Sequence, residues 1–152
     1  MSAPPRQLDP AKLRPDAAIW GPLFVGIVAL FFAFPAGLAL AILNWQRMGL
    51  LAKARRHLFA TVIGAYLFVL LVLLVPGGLG FYLYPAVNIG VFFYLRREID
   101  RDADAYAHAG KEARPASWGL GLLLGLGFGL ALALLYVVVA IFLDATGLLR
   151  AD

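Results

Sequence analysis

The stretch Trp118–Leu143 reads WGLGLLLGLGFGLALALLYVVVAIFL, and its 26 residues include no Lys, Arg, Asp, Glu or His. A helix rises about 1.5 Å per residue and the hydrocarbon core of a bilayer is about 30 Å thick, so about 20 apolar residues span it. The stretch is therefore long enough to cross a membrane as one tilted helix. It predicts a transmembrane segment.

Three other charge-free apolar stretches precede this one, at 18–43, 58–75 and 78–95. The chain of 152 residues is 62% hydrophobic and 14% charged, with a mean hydropathy of +0.84. So little polar surface cannot cover a soluble domain that buries four such stretches. We therefore predict an all-α integral membrane bundle of four transmembrane helices over 18–147, between a polar N-terminal tail (1–17) and a C-terminal tail (148–152).

Lys and Arg determine the predicted orientation, because cytoplasmic connections accumulate these residues. Nine of the 13 basic residues follow the first or the third stretch, whereas Val75–Gly80 carries none. Four spans then place both long connections in the cytoplasm and both termini outside, in the plasma (inner) membrane of a bacterium. The expected partners of the basic cluster are anionic lipid headgroups rather than nucleic acid, because the cluster adjoins two spans. It consists of Arg47, Lys53, Arg55 and Arg56.

The segment Phe34–Pro35–Ala36–Gly37 interrupts the first stretch and allows two interpretations. One is a single long helix that is kinked because Pro35 lacks the backbone donor for residue 31. The other is a re-entrant hairpin that bends at this segment. We favour the kinked helix, because non-helical backbone at membrane depth must be buried in protein or line a water cavity, and a small chain offers little of either.

The connections between the later helices also carry recognisable signals. Pro76–Gly77–Gly78 predicts a tight turn that makes the second and third helices an antiparallel hairpin. Arg96–His108 is expected to continue the third helix into the cytoplasm, and Ser117 to cap the last helix. The acidic residues of this extension are expected on a solvated face beside neighbouring arginines; they are Glu98, Asp100, Asp102 and Asp104.

Small residues predict where helices approach each other in a membrane, since close packing drives association there. The candidate packing faces are Ala33, Gly37 and Ala41 in the first helix, Ala60 and Gly64 in the second, and Gly121, Gly125 and Gly129 in the last. The last face is either a dimer interface or a contact inside the bundle. We favour the contact inside the bundle.

Two amides, Asn44 and Asn88, lie near membrane depth and need hydrogen-bond partners there. Asn88 follows Pro85 by three residues, so a ligand or ion site is one interpretation and a structural hydrogen bond is the other. We favour the structural hydrogen bond.

Candidate catalytic and metal-binding residues are sparse. The chain has no Cys and two His, His57 and His108. The run from Asp100 to Asp104 begins like a calcium loop but lacks its glycine and its bidentate glutamate. We therefore expect no cofactor and no catalysis. A membrane enzyme with a metal on Asp100, Asp102 and His108 is a third-ranked interpretation.

These expectations lead to two functional hypotheses. The first is a non-catalytic accessory or structural membrane component, associating with itself or with a larger complex through its small-residue faces. The alternative is a small oligomeric transporter or channel with a site near Pro85 and Asn88, where broken helices surround a midplane site in other transporters.

The segment Asn44–Trp45–Gln46–Arg47–Met48–Gly49 follows the FPAG segment, and Ser117–Trp118 opens the Gly-rich last helix. This arrangement resembles an uncharacterised family of small bacterial multi-pass membrane proteins, in which the first helix ends in an Asn-Trp-x-Arg-x-Gly motif. The resemblance implies a membrane architecture and no particular activity.

Overall fold

The structure is a computed structural model that describes residues 10–75 and 79–147. A 3₁₀ turn (Pro10–Lys12) leads to strand β1 (Asp16–Ile19). The elements that follow are helices α1 (Pro22–Phe32), α2 (Phe34–Met48), α3 (Leu51–Leu74) and α4 (Leu79–His108), strand β2 (Glu112–Pro115) and helix α5 (Trp118–Ala145). The predicted all-α class is confirmed, apart from the two short strands. The predicted turn at 76–78 and the tail at 148–152 lie outside the described residues.

The first apolar stretch forms two helices, so the prediction of one kinked helix over 18–43 is wrong. The chain reverses at Ala33, whose φ of 92° and ψ of 152° lie outside the helical region. Pro35 lies in the first turn of α2, where its missing N–H needs no helical partner, so it begins a helix instead of kinking one.

Contacts on both sides of Ala33 show that α1 and α2 form an antiparallel hairpin. Trp20 and Asn44 are hydrogen-bonded to each other at the open end of the hairpin. Nearer the turn, a Cβ on Gly37 would lie 2.3 Å from the Cβ of Ala29. The argument against a hairpin is that a small chain offers little protein to bury its turn, yet Ala33 is only 2% exposed. The neighbouring helices supply that burial.

The two strands bring the N-terminal segment to the end of the helices that carries the basic connections α2–α3 and α4–α5, called the basic end below. β1 pairs in parallel with β2, with Asp16 opposite Glu112. The segment before α1 therefore lies at the same end as the connection between α4 and α5, and the prediction that it lies opposite the basic connections is wrong. Residues of this segment also contribute to the core, where Leu13 and Ala17 are buried.

Helices α1 and α5 leave the strand pair side by side and run in the same direction. The Trp20 indole nitrogen donates to the Ser117 carbonyl, and Phe24 and Val28 lie against Gly121 and Gly125. Each of these three pairs is separated by 97 positions in the chain. The parallel register of the strands thus continues into the packing of the helices.

Two helices of the described residues, α3 and α5, are long and apolar enough to cross a membrane. Only 17% of the apolar window of α3 and 11% of that of α5 is buried. The core helix of a soluble protein would be mostly buried. Here large apolar side chains such as Phe59, Leu67, Leu123 and Ile141 are more than half exposed, which leaves an extensive apolar exterior.

Candidate functional site at the basic end

The end of α2 is tied to the start of α1 by one amide side chain. Asn44 Oδ1 accepts from the Trp20 backbone N–H at 2.9 Å, and Asn44 Nδ2 donates to the Trp20 carbonyl at 2.8 Å. Asn44 is fully buried. Both backbone groups of Trp20 are thus satisfied at the point where β1 gives way to α1, and Asn44 holds the open end of the hairpin.

The next residue, Trp45, joins a partly buried cluster of charged side chains. Its indole nitrogen donates to Asp102 Oδ2 at 2.7 Å. The Lys53 ammonium forms ion pairs with Asp102 and Glu98, and it lies 4.5 Å from the centre of the Trp45 ring. The cluster therefore ties α2, α3 and α4 together, with Asp102 at 0% exposure.

This cluster corrects one expectation from the sequence and shows where one predicted headgroup ligand lies. Asp102 is not on the solvated face of α4, because its side chain turns inward to Trp45 and Lys53. The ammonium of Lys53, one of the predicted headgroup ligands, is paired with the Glu98 and Asp102 carboxylates. A buried charge needs such partners, since its desolvation is costly.

The rest of the Asn44–Gly49 motif fixes the N-terminal segment. Arg47 donates to the Ala18 carbonyl at 2.8 Å, and its guanidinium lies 4.3 Å from the centre of the Trp20 ring. Gly49 ends α2 with a φ of 91°, and a Cβ there would lie 2.5 Å from the Lys12 carbonyl oxygen. Glycine is required at this position for its backbone conformation and for the close approach of the N-terminal segment.

Tyr106 gives the N-terminal segment another attachment. Its hydroxyl donates to the Arg14 carbonyl at 2.5 Å, and the side chain is buried. Burial raises the pKa of the Tyr106 hydroxyl, and the nearby Asp16 carboxylate raises this pKa further. The neutral hydroxyl is therefore favoured, which is the form that can donate the hydrogen bond.

A cavity of about 1120 Å³ lies beside the charged cluster, between α2, α3 and α4. One wall carries His57, whose Nε2 lies 2.8 Å from the Tyr94 hydroxyl and whose Nδ1 lies 2.9 Å from the Lys53 carbonyl oxygen. Arg56 is exposed at the edge of the cavity. The cavity thus places charged, aromatic and apolar groups around one open space.

Asn88 supports the turn of the α1–α2 hairpin from α4. Its Oδ1 accepts from the Phe34 backbone N–H at 2.9 Å, which satisfies a donor in the first turn of α2. The side chain is 1% exposed, and its Nδ2 has no hydrogen-bond partner. Both amides singled out in the sequence therefore hold the same hairpin, Asn44 at its open end and Asn88 at its turn.

The small residues of α5 pack within the chain. Cβ atoms added to Gly121, Gly125 and Gly129 would come within 3 Å of Phe24, Val28 and the Phe32 carbonyl oxygen, respectively. This face is covered by α1 in the structure, which leaves no room for a second copy of the chain there.

The other predicted packing residues are placed differently. Gly37 and Ala41 are buried in the hairpin, whereas Ala33 forms its turn and shares no helical face with them. Ala60 is exposed beside the cavity, and a Cβ on Gly64 would meet nothing within 4 Å. The predicted continuous stripe of the first stretch is therefore wrong, because the chain reverses at its first member.

Among the predicted headgroup ligands, Arg55 and Arg56 are exposed on α3. Within residues 10–75 and 79–147, no three His, Asp or Glu side chains gather in a way that could hold a metal ion. The proposed metal ligands Asp100, Asp102 and His108 are therefore not brought together.

The charged cluster could have been found from the sequence. If the predicted turn at 76–78 makes two helices antiparallel, residues equally far from the turn come together. Lys53 and His57 are as far before the turn as Glu98 and Tyr94 are beyond it, to within a helical turn. The position of Trp45 beside Asp102 depends on the α1–α2 hairpin, which the sequence offers only as the less favoured of two interpretations.

Comparison with protein families, curated proteins and solved structures finds no match to this chain.

Proposed function

We propose that this chain is a multi-pass integral membrane protein, in which α3, α4 and α5 cross the bilayer and α1–α2 is a re-entrant hairpin. Its role is that of a non-catalytic membrane component whose basic end binds anionic lipids at the cytoplasmic surface. The observation that carries this proposal is the apolar exterior of α3 and α5, whose spanning windows are 17% and 11% buried. This surface matches lipid rather than water.

The dimensions of the hairpin support a re-entrant position. The 11 residues of α1 rise about 16 Å, which is roughly half of the hydrocarbon thickness. Its turn would thus lie near the midplane, where an unsatisfied backbone donor is costly. Asn88 supplies an acceptor to Phe34 at this turn, and the surrounding helices bury Ala33.

The distribution of charge supports the orientation. Eleven of the 13 basic residues belong to the described part of the chain, and all of these lie in segments at the end that carries β1 and β2. This end is cytoplasmic by the positive-inside rule. The segment before α1 then stays inside, so Lys12 and Arg14 need not be translocated, and the end of α5 lies outside.

The buried polar groups support a structural role over a catalytic one. Asn44 closes the open end of the hairpin through Trp20, Trp45 attaches the hairpin to α4, and Tyr106 attaches the N-terminal segment to α4. Such contacts stabilise one arrangement of the helices. Arg55 and Arg56 are exposed on α3 in this arrangement, which supports their proposed contact with anionic headgroups.

The experiment is cysteine labelling, and a chain without native cysteine is well suited to it. Single variants Asp16→Cys, Glu112→Cys and Thr146→Cys are treated with a membrane-impermeant maleimide in intact spheroplasts. We expect labelling at position 146 alone, and labelling at all three after lysis. Labelling of both 16 and 146 in intact spheroplasts would exclude the re-entrant topology, and release of the protein by alkaline carbonate would exclude membrane integration.

A second candidate function is a transporter or channel with a site near the hairpin turn. The observation that favours it is the buried Asn88 Nδ2, which has no partner, on a helix that contains Pro85 one turn before it. Light scattering by proteoliposomes in glycerol and in potassium chloride would test it. Protein-dependent swelling that is lost in Asn88→Leu but kept in Asn44→Leu would support this function, and no swelling above empty liposomes would count against it.

A further inference from the structure

The α1–α2 hairpin fills only one half of the helix bundle, measured along the axis of α5. Its turn lies beside Gly129, because a Cβ there would lie 2.9 Å from the Phe32 carbonyl oxygen. Helix α5 continues beyond Gly129 to Ala145, a rise of about 24 Å. In the part of the chain that the structure describes, only α3, α4 and α5 extend past the turn.

Helices α4 and α5 leave a gap between them in this half. Among the described residues, no Cα atom of α4 lies within 8 Å of a Cα atom of α5. A pocket of about 350 Å³ lies in the gap, and its lining includes Phe68, Val69 and Val72 of α3 and Tyr84 of α4. The Phe68 ring packs edge-to-face on Phe34 in the first turn of α2, so the pocket begins at the hairpin turn. We call it the outer pocket.

The outer pocket is elongated along α5. The α5 residues that line it lie three, four, seven and eight positions after the first, which is the spacing of one helix face. They are Gly129, Leu132, Ala133, Tyr136 and Val137. This stripe extends for about 12 Å. In the proposed orientation it runs from the midplane through most of the outer half of the hydrocarbon core, which is about 15 Å thick.

The dimensions of the outer pocket favour a hydrocarbon chain over a helix. A volume of about 350 Å³ along about 12 Å gives a mean cross-section of about 30 Å², whereas a helix about 10–12 Å in diameter has a cross-section of about 80–110 Å². The described residues that line the pocket include no charged side chain. The space therefore matches one extended apolar chain that lies parallel to the helices.

We propose that the outer pocket binds one acyl chain of an outer-leaflet phospholipid. The chain enters from the outer surface between α4 and α5 and ends at the hairpin turn, near the midplane depth at which the acyl chains of that leaflet end. It takes the place that the hairpin occupies in the other half. This inference rests on the proposed membrane function and adds one specific lipid site to it.

The outer end of the bundle predicts which part of the lipid is recognised. Neither α3 nor α5 has a basic residue in its last turn. An anionic headgroup is therefore not selected there, and the site recognises the acyl chain. Phosphatidylcholine is the suitable probe, because its headgroup has no net charge and is not attracted to the basic end as anionic lipids are.

The first test compares two alanines of α5. Ala133 lines the outer pocket, whereas Ala131 is exposed and does not line it. The full chain is purified in detergent, delipidated and mixed with phosphatidylcholine, and bound lipid is counted by native mass spectrometry. We expect one lipid per unmodified chain and per Ala131→Trp chain, and about fivefold less in Ala133→Trp, where the indole fills the pocket. Equal retention in the two variants would overturn the proposal.

The second test measures thermal unfolding of the same three delipidated proteins. Phosphatidylcholine should raise the unfolding midpoint of the unmodified chain and of Ala131→Trp by about 2–4 °C, because the lipid binds only the folded bundle. Ala133→Trp should not respond, since its own side chain occupies the space. A midpoint that does not respond in the unmodified chain, or that responds equally in all three proteins, would overturn the proposal.

Two other occupants of the outer pocket give different results. A dimer trapped by oxidation of Ala133→Cys but not of Ala131→Cys, in native membranes, would identify a helix of a second chain. A prenyl lipid that is retained by the chain from native membranes and lost in Ala133→Trp would identify a prenyl tail. Either result would overturn the assignment to an acyl chain.

Failure of this proposal can be distinguished from failure of the proposed function. The cysteine-labelling pattern at positions 16, 112 and 146 is measured in the unmodified background and in Ala133→Trp. The expected labelling together with unchanged lipid retention in Ala133→Trp would refute the outer pocket alone. Labelling of both 16 and 146 in intact spheroplasts of the unmodified background would refute the proposed function.

Discussion

Gly37 lies directly against Ala29, so that a Cβ on Gly37 would be 2.3 Å from the Ala29 Cβ and 2.8 Å from its Cα. The two residues are each four positions from Ala33, on opposite arms of the hairpin. Such an approach of two helices is available only where one residue has no side chain. The pair determines how tightly α2 folds back on α1, and α4 and α5 pack on the resulting hairpin.

Gly37→Ala should therefore destabilise the protein by about 1–3 kcal/mol, because the obstructing atoms belong partly to the backbone and cannot rotate away. The matched control is Gly64→Ala in α3, where a Cβ meets nothing within 4 Å. Thermal unfolding in detergent measures both variants. A Gly37→Ala protein as stable as Gly64→Ala would contradict the packing of the hairpin.

Replacement of Ala33 by glycine should have the opposite effect. An alanine with a φ of 92° is strained, and Ala33→Gly should raise the free energy of unfolding by about 1 kcal/mol. In the control Ala131→Gly, on the exposed surface of α5, glycine should lower it by about 0.5–1 kcal/mol. The same unfolding measurement shows whether each variant gains or loses stability. A loss of stability in Ala33→Gly would show that the chain does not reverse there.

The parts of the fold that could be predicted from the sequence are those that depend on residues close together in the chain. The helical extension of α4 to His108 and the Ser117 cap of α5 follow from neighbouring residues, and the structure has both. The choice between a kink and a hairpin at Pro35 was not local, because it depends on whether other helices can bury the turn. Asn88 lies 54 residues from Phe34, the donor that it satisfies.

In the candidate site, too, some features follow from neighbouring residues and others depend on distant helices. Exposure of Arg55 and Arg56 follows from their place beside a span. The burial of Asp102 could not be predicted from α4 alone, where it alternates with the exposed Asp100 and Asp104. Its partner Trp45 comes from the hairpin, so an error about the hairpin also hid the charged cluster.

Asp102→Asn should cost about 2 kcal/mol of stability, because it weakens an acceptor for the Trp45 indole and removes one of two carboxylates from Lys53. Asp104→Asn, an exposed position on the same helix, should change stability by less than about 0.5 kcal/mol. Chemical denaturation followed by tryptophan fluorescence measures the difference. Equal stabilities of the two variants would show that the Asp102 side chain is on the solvated surface and not buried.

The attachment of the N-terminal segment should depend on pH through Tyr106. Because the folded pKa of Tyr106 is raised above its ordinary value of 10.0, folding favours the neutral hydroxyl. Its contribution is fully present below about pH 10 and is lost as the pH rises through the folded pKa.

We expect unfolding midpoints to fall more steeply above about pH 10 in the unmodified chain than in Tyr106→Phe. Asp16→Asn should bring the tyrosinate absorbance change to lower pH, because it removes the second cause of the raised pKa. A transition that is unaffected by either variant would show that Tyr106 is not buried beside Asp16.

Alanine substitutions at two glycines of α5 distinguish the effect of packing against α1 from the effect of helix propensity. A Cβ on Gly129 would lie 2.9 Å from the Phe32 carbonyl oxygen, whereas a Cβ on Gly127 meets nothing within 4 Å. Gly127→Ala should stabilise the protein by up to about 1 kcal/mol, since alanine is the better helix former. Gly129→Ala should destabilise it, because the backbone of α1 must move away. If both variants gain stability and Gly129→Ala alone loses a dimer on crosslinking, the Gly121–Gly125–Gly129 face meets a second chain instead of α1.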